Sequence, residues 1–175
     1  VEYHVTGGEN AVAKVKYTIN QATPKAGDFT FLAPGRLTYD GSPKIATVAP
    51  SGDKCGMGKV TVTYYQDNKP VGTQPPTNVG DYTVKISVKA GTNYEAINDL
   101  SDPDWKFTIS PNGTAPTVTL NGDMVYNRQQ IKPGVTVTIG GTTLAQNTDY
   151  TVTYGENKNA GEDEGSVTIT AMGNY

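Results

Sequence analysis

A chain of 175 residues with 35% hydrophobic and 9% aromatic content has the length of one or two domains. Its net charge of −3 offers no basic stripe for a phosphate backbone, which excludes nucleic acid as an expected partner. The single cysteine, Cys55, excludes an internal disulfide framework and a Cys-rich zinc site, and no apolar run approaches the roughly 18 residues of a membrane span.

The aromatic residues are mostly tyrosine, 11 against 3 Phe and 1 Trp, while 20 Gly and 11 Pro punctuate the chain. Thr, Val and Tyr fit a pleated, half-buried surface, and Gly and Pro mark turns. No long segment carries a 3.6-residue period. The composition is all-β, and too rich in alternating apolar positions for a disordered chain.

In chain order, Val1, Tyr3 and Val5 alternate with Glu2, His4 and Thr6, which reads as a strand rather than a leader. Residues 7–10 form a turn. Val15, Tyr17 and Ile19 then alternate with Lys14, Lys16 and Thr18, predicting a second, antiparallel strand. Residues 21–27 are a connector. Phe29-Thr30-Phe31 and Leu37-Thr38-Tyr39 flank Pro34-Gly35, which suits a tight turn, and residues 45–48 predict a short strand. Residues 53–58 read as an exposed loop. Val60, Val62 and Tyr64 alternate with Thr61, Thr63 and Tyr65 before a turn at residues 67–70.

The clearest strand pattern follows, with Tyr82, Val84, Ile86 and Val88 on one face and Thr83, Lys85, Ser87 and Lys89 on the other. Residues 95–104 read as an acidic loop, and Trp105, Phe107 and Ile109 as a further strand. Residues 111–116 form a second connector. Asn121-Gly122, between residues 118–120 and 124–126, is the strongest short hairpin signal in the chain. Val135, Val137 and Ile139, then Tyr150, Val152 and Tyr154, predict two more strands. Residues 155–165 are a long polar turn before Val167, Ile169 and Ala171. Short strands at this spacing predict a β-sandwich.

Parts of this text repeat. Val60-Thr61-Val62-Thr63-Tyr64 matches Tyr150-Thr151-Val152-Thr153-Tyr154, residues 78–94 match 159–175, and Tyr39 matches Tyr126. Val15-Lys16-Tyr17-Thr18-Ile19-Asn20 matches Trp105-Lys106-Phe107-Thr108-Ile109-Ser110. The expected organisation is tandem immunoglobulin-like β-sandwich modules. Residues 21–110 form the first, and residues 111–175 a second that lacks its closing strand. Residues 1–20 are the closing strands of a preceding repeat, or an added or swapped edge hairpin. A sheet edge left open invites strand addition, and residues 14–19 are of the missing type. They either close the second module of a neighbouring or the same chain, pair alongside the first module, or belong to a longer natural chain.

Leu37-Thr38-Tyr39-Asp40-Gly41-Ser42-Pro43, Val60-Thr61-Val62-Thr63-Tyr64-Tyr65, Pro76-Thr77-Asn78-Val79-Gly80-Asp81-Tyr82-Thr83-Val84 and Phe107-Thr108-Ile109 resemble the MBG/YDG-type bacterial Ig-like repeats. Residues 148–154 and 165–169 look like a sister variant, departing at Asn127-Arg128-Gln129. The resemblance implies a secreted or cell-surface bacterial protein in which such modules serve as stalks, spacers or adhesive units. The partners it implies are neighbouring Ig-like repeats and a host or wall glycan or protein.

Candidate chemistry is sparse. No nucleophile signature surrounds Cys55 or His4, and His4 lies on the polar parity of its strand. Asp99, Asp102 and Asp104, and Glu162, Asp163 and Glu164, lack a calcium-loop spacing and read as solvated loop charge. Trp105 falls on the apolar parity and reads as core. Lys85 and Lys89 fall on the polar parity, which argues against a buried Lys–Asn isopeptide bond. Tyr65 is the exposed aromatic that remains as a candidate ligand contact. The expectation is a non-enzymatic structural or adhesive module without cofactor or metal. The alternative is a carbohydrate-binding accessory module of a secreted glycoside hydrolase.

Overall fold

The computed structural model describes residues 14–175, and there the chain is all-β, with eleven strands and one 3-10 turn at Ala26–Asp28. Residues 1–6 and 7–10, with His4, lie outside the described residues. The strand expected at residues 14–19 is not formed: residues 14–20 pair with no described strand, and Val15, Tyr17 and Ile19 are exposed. Their alternation is that of a strand, but no described strand edge lies beside it to accept its hydrogen bonds.

The first core lies between two sheets. One pairs β1 (Phe29–Leu32) with β2 (Thr47–Pro50), and the other has the order β4-β3-β5-β6, from Lys69–Gly72, Val60–Gln66, Gly80–Val88 and Ile97–Ile109. Strand β5 obeys its sequence period: Tyr82, Val84, Ile86 and Val88 are buried while Asp81 and Thr83 are exposed. They meet Trp105, Phe107 and Ile109 of β6, Tyr64 of β3, Phe29 and Val48 from the facing sheet, and Ala46 just before β2. The aromatic rings interlock, Phe107 stacking on Tyr82 at 5.6 Å and meeting Tyr64 edge-on at 6.2 Å.

Two local expectations fail here for tertiary reasons. Residues 29–31 and 37–39 do not form a hairpin, because β1 pairs with β2 and Thr38 bridges Ser110 instead. Tyr39 N–H donates to the Ser110 carbonyl at 2.8 Å, and Ser110 N–H to that of Leu37 at 2.7 Å. The acidic stretch after Tyr94 is not a loop; β6 begins at Ile97 and runs along β5, with register shifts between Thr83 and Lys85 and between Ile86 and Val88. Asp99, at a φ of 55°, and the Asp102 side chain, which accepts Asp104 N–H at 2.9 Å, shape these irregular positions. The turn after β3 is tighter than residues 67–70. Asp67 and Asn68 both have positive φ, the signature of a two-residue hairpin, and Pro70 sits in the edge strand β4.

The second core is smaller. Val137, Ile139, Leu144 and Tyr150 are buried between a sheet of order β7-β8-β9, from Thr117–Asn121, Gly134–Ile139 and Thr142–Thr143, and the pair β10 (Tyr150–Tyr154) and β11 (Val167–Ala171). The Asn121-Gly122 hairpin is not formed. Asn121 pairs with Gly134 as the last residue of β7, its side-chain amide donating to Thr136 Oγ1 at 2.9 Å, and residues 124–126 are exposed. Gly140 and Gly141, with φ of 56° and 84°, make the two-residue turn between β8 and β9.

Geometry recurs between the halves. The Tyr64 hydroxyl ties β3 to the residue before β2, accepting Ala46 N–H at 3.1 Å; the Tyr154 hydroxyl ties β10 to the residue before β8, donating to the Pro133 carbonyl at 2.7 Å. Ala22 N–H donates to the Asn93 carbonyl at 2.9 Å, and Asn112 N–H to that of Asn174 at 3.0 Å. Tyr64 pairs with Val84 as Tyr154 pairs with Val167.

Candidate functional site

The candidates read from sequence are scattered. The Cys55 thiol is exposed in its loop, and its carbonyl accepts the Asn93 amide at 3.1 Å. Among the described residues no three His, Cys, Asp or Glu side chains converge on a metal position. Trp105 is buried as expected, its ring edge-on to Phe29 at 6.2 Å. Tyr65 is half-buried on β3, its hydroxyl 3.5 Å from Asp99 Oδ1 and one ring face under the Lys85 ammonium at 4.7 Å. That cation–π contact occupies a surface on which a sugar ring would stack.

One ionic feature escaped the sequence reading. Lys44 is 3% exposed, its ammonium 2.7 Å from Asp40 Oδ1 and its N–H donating to the Pro76 carbonyl at 2.8 Å. The Lys44 hydrogen bond, with the Ser42 N–H donated to the same carboxylate, holds Asp40 below the usual carboxylate range. Asp28 is held low by Lys54 and by the Lys25 N–H. A carboxyl group with a lowered pKa in the folded state stabilises the fold above its unfolded value, and that contribution disappears as pH falls through the folded value. Between roughly pH 5 and pH 2 the urea midpoint is therefore expected to fall. Asp40→Asn is expected to start lower at neutral pH, because Lys44 loses its counter-charge, and to fall less over the acid range. Equal acid slopes for the two proteins would remove Asp40 from this account.

The residues that meet most closely across the two halves belong to a repeated turn. Asn174 Oδ1 accepts Val79 N–H at 2.8 Å, its Nδ2 donates to Asn78 Oδ1 at 3.2 Å, and its backbone carbonyl accepts Asn112 N–H. The Tyr175 ring packs edge-on against Tyr39 at 5.5 Å, and burial is the first cause that pushes its hydroxyl pKa up. A single asparagine thus clasps the start of β5, the connector and its own turn. The recurrence of Asn93-Tyr94 as Asn174-Tyr175 signalled a turn; nothing local signalled what it would grip.

The second notable surface is the outer edge of β11. Strand β6 covers that edge of β5, but β11 pairs only with β10 among the described strands. Beside it lies a cavity of about 380 Å³ lined by Leu120, Met124, Tyr126, Ile131, Gly165 and Val167, among others. Leu120, Met124 and Tyr126 are substantially exposed there. The arrangement offers backbone donors and acceptors beside a trough of mixed character, since Asn157, Asn159, Asp163 and Ser166 share its lining.

Against this geometry, the family model described as the MBG domain matches residues 32–99, from the end of β1 into β6. The match supports an MBG-type repeat over that segment. Comparison with curated proteins and with solved structures gives no match. No helix among the described residues is long and apolar enough to cross a membrane.

Proposed function

Taking residues 32–99 as an MBG-type repeat, we propose that the chain is a run of immunoglobulin-like sandwich modules, with boundaries at 21–110 and 111–175. They act without catalysis as a stalk or spacer of a bacterial cell-surface protein. The clasp made by Asn174 carries this reading: one side chain bonds both Asn78 and Val79 while Tyr175 packs on Tyr39, which restrains one half against the other. A spacer needs that restraint, since free linkers between domains leave their angle open. Three further observations support it. The Tyr64 and Tyr154 ties recur, as do the bonds from Ala22 and Asn112. Tyr82, at the start of β5, donates to the carbonyl four residues upstream, Asn78, at 2.9 Å, the tyrosine corner of immunoglobulin-like sandwiches. The connector, residues 111–116, is short and has Pro at both ends.

Small-angle scattering tests the stiffness. The wild-type chain is expected to fit one fixed arrangement, and Asn174→Ala to need a broader distribution of distances. A wild-type curve that already requires freely moving halves would sink the stalk reading. The carbohydrate-binding reading rests on Tyr65, whose ring Lys85 partly covers, and takes second place.

A further inference from the structure

We propose that Asn112, in the connector, is a self-modifying site, where the Gly113 backbone nitrogen attacks the side-chain amide and converts it to aspartate and isoaspartate. The covalent step stands on the connector's own geometry, and its consequence for stiffness rests on the stalk reading.

The chain has two Asn-Gly dipeptides, Asn112-Gly113 and Asn121-Gly122. A glycine after asparagine leaves the attacking nitrogen unshielded, because no Cβ stands beside it. The fold treats the two differently. Asn121 ends β7, its backbone paired with Gly134 and its amide donating to Thr136 Oγ1 at 2.9 Å. Ring closure needs that backbone and that side chain to turn toward each other, and both are held. Asn112 lies outside any strand, Gly113 and Thr114 are exposed, and among the described residues no acceptor takes the Gly113 N–H.

The Asn112 side chain is folded onto the backbone that follows it: Thr114 N–H donates to Asn112 Oδ1 at 3.0 Å. This turn brings the amide carbon beside the nitrogen of the intervening residue, Gly113. It also puts a donor on the oxygen that becomes negative when the carbon is attacked. The reaction is intramolecular, with nucleophile and donor already placed. Solvent base takes the Gly113 N–H proton as the nitrogen bonds to Asn112 Cγ. The side-chain nitrogen takes up a proton and leaves as ammonia, and a succinimide remains. Water then adds to one ring carbonyl and breaks its bond to the Gly113 nitrogen. Opening at Cγ gives aspartate, and opening at the main-chain carbonyl gives isoaspartate.

Similar turns elsewhere lack one requirement. Asp40 accepts Ser42 N–H at 2.9 Å and precedes Gly41, but Lys44 keeps its carboxylate ionised, and an ionised carboxylate carbon resists a nucleophile. Asn127 accepts Gln129 N–H at 2.9 Å but precedes Arg128, whose Cβ shields the nitrogen. Asn112 combines the amide, the turn and the glycine.

The position gives the change a consequence. Asn112 N–H donates to the Asn174 carbonyl at 3.0 Å, which ties the connector to the clasp. Isoaspartate routes the main chain through the former side chain, adding a carbon between this anchor and β7. The new carboxylate also stands near the Asn174 carbonyl oxygen and repels it. The restraint between the halves therefore loosens as the molecule ages.

The experiment incubates the full chain at mildly alkaline pH, in buffer and in urea, and follows amide-to-acid conversion by peptide mapping with mass spectrometry. In buffer, Asn112 is expected to convert well ahead of Asn121, with isoaspartate among its products, and in urea the two rates are expected to converge. Gly113→Ala, whose added Cβ meets nothing within 4 Å, is expected to slow the step without disturbing the fold. Thr114→Pro removes the donor and is expected to slow it about tenfold in buffer and little in urea. Conversion at Asn112 no faster than at Asn121 in the folded chain overturns the proposal. An unchanged rate in Thr114→Pro overturns the role of the turn. Protein converted at Asn112, separated by its added charge, is expected to need a broader distribution of distances in small-angle scattering. An unchanged distribution overturns the loosening, while the stalk reading stands or falls separately on fresh protein and Asn174→Ala.

Discussion

Phe107→Ala is expected to lower the stability of the first half by about 3–5 kcal/mol and leave the second half unchanged. Phe107 is the ring on which the first core converges, stacked on Tyr82 of β5 and edge-on to Tyr64 of β3. Removing it opens a cavity between aromatic neighbours that are held in place. Tyr64 is fixed by its hydrogen bonds to Ala46, and Tyr82 by its hydroxyl on the Asn78 carbonyl. Neither ring can collapse into the gap without giving up a bond, so the cost falls toward the upper part of the range.

Trp105 reports this without interference, being the single tryptophan and buried in the same core. At a urea m-value of roughly 1–3 kcal/mol/M, the fluorescence midpoint is expected to shift by on the order of 2 M. The second core shares no buried residue with the first, so its transition, followed by circular dichroism, is expected to stay in place. Lys106→Ala, one position along on the solvent face, is expected to stay within about 0.5 kcal/mol of wild type. A midpoint shift no larger for Phe107→Ala than for Lys106→Ala would show that the core does not depend on this ring.

The elements legible in the sequence are those whose two faces differ. Tyr82 to Val88, Val60 to Tyr64 and Tyr150 to Tyr154 alternate between core and water, and each is a strand where the period puts it. Legibility fails where pairing overrides local preference. Asn121-Gly122 carries the chemistry of a hairpin turn, yet Asn121 is held in register by Gly134 and Thr136, and Gly122 at φ 100° takes the chain elsewhere. Residues 97–104 have loop composition, yet β5 offers an edge to which their backbone bonds. The Lys44–Asp40 pair and the Asn174 clasp were illegible for another reason. Both depend on which distant backbone comes alongside, Pro76 in one case and Asn78–Val79 in the other. Residues 14–19 are the converse: the pattern is a strand's, and its partner is not in the described chain.

Gly91→Ala is expected to cost about 3 kcal/mol, at the high end for added bulk, because what it meets is backbone. A Cβ at Gly91 would run into the Gly56 carbonyl oxygen and stand 2.6 Å from Gly58 N and 2.7 Å from the Met57 carbonyl carbon. Those atoms have little freedom to retreat. Asn93 N–H donates to that Gly56 oxygen at 3.0 Å, the Asn93 side chain bonds Cys55, and Lys89 N–H bonds the Lys59 carbonyl at 3.0 Å. Gly58→Ala approaches the same clasp from the other side, its Cβ meeting the Lys89 oxygen and standing 2.8 Å from that of Ala90. Once one substitution has parted the two segments the other has less to displace, so the double variant is expected to cost clearly less than the sum. Gly27, with nothing within 4 Å of its virtual Cβ, is the control, and its alanine variant is expected to be neutral or slightly stabilising. Hydrogen exchange separates a local parting from a general loss of stability. Beside this clasp Ala22 N–H donates to the Asn93 carbonyl and Glu95 N–H to the Ala22 carbonyl, so in Gly91→Ala these two amides are expected to lose protection before those of β5 do. Stability within about 0.5 kcal/mol of wild type, with Ala22 still protected, would mean that the two segments yield freely and that their close approach does not hold the end of the first half together.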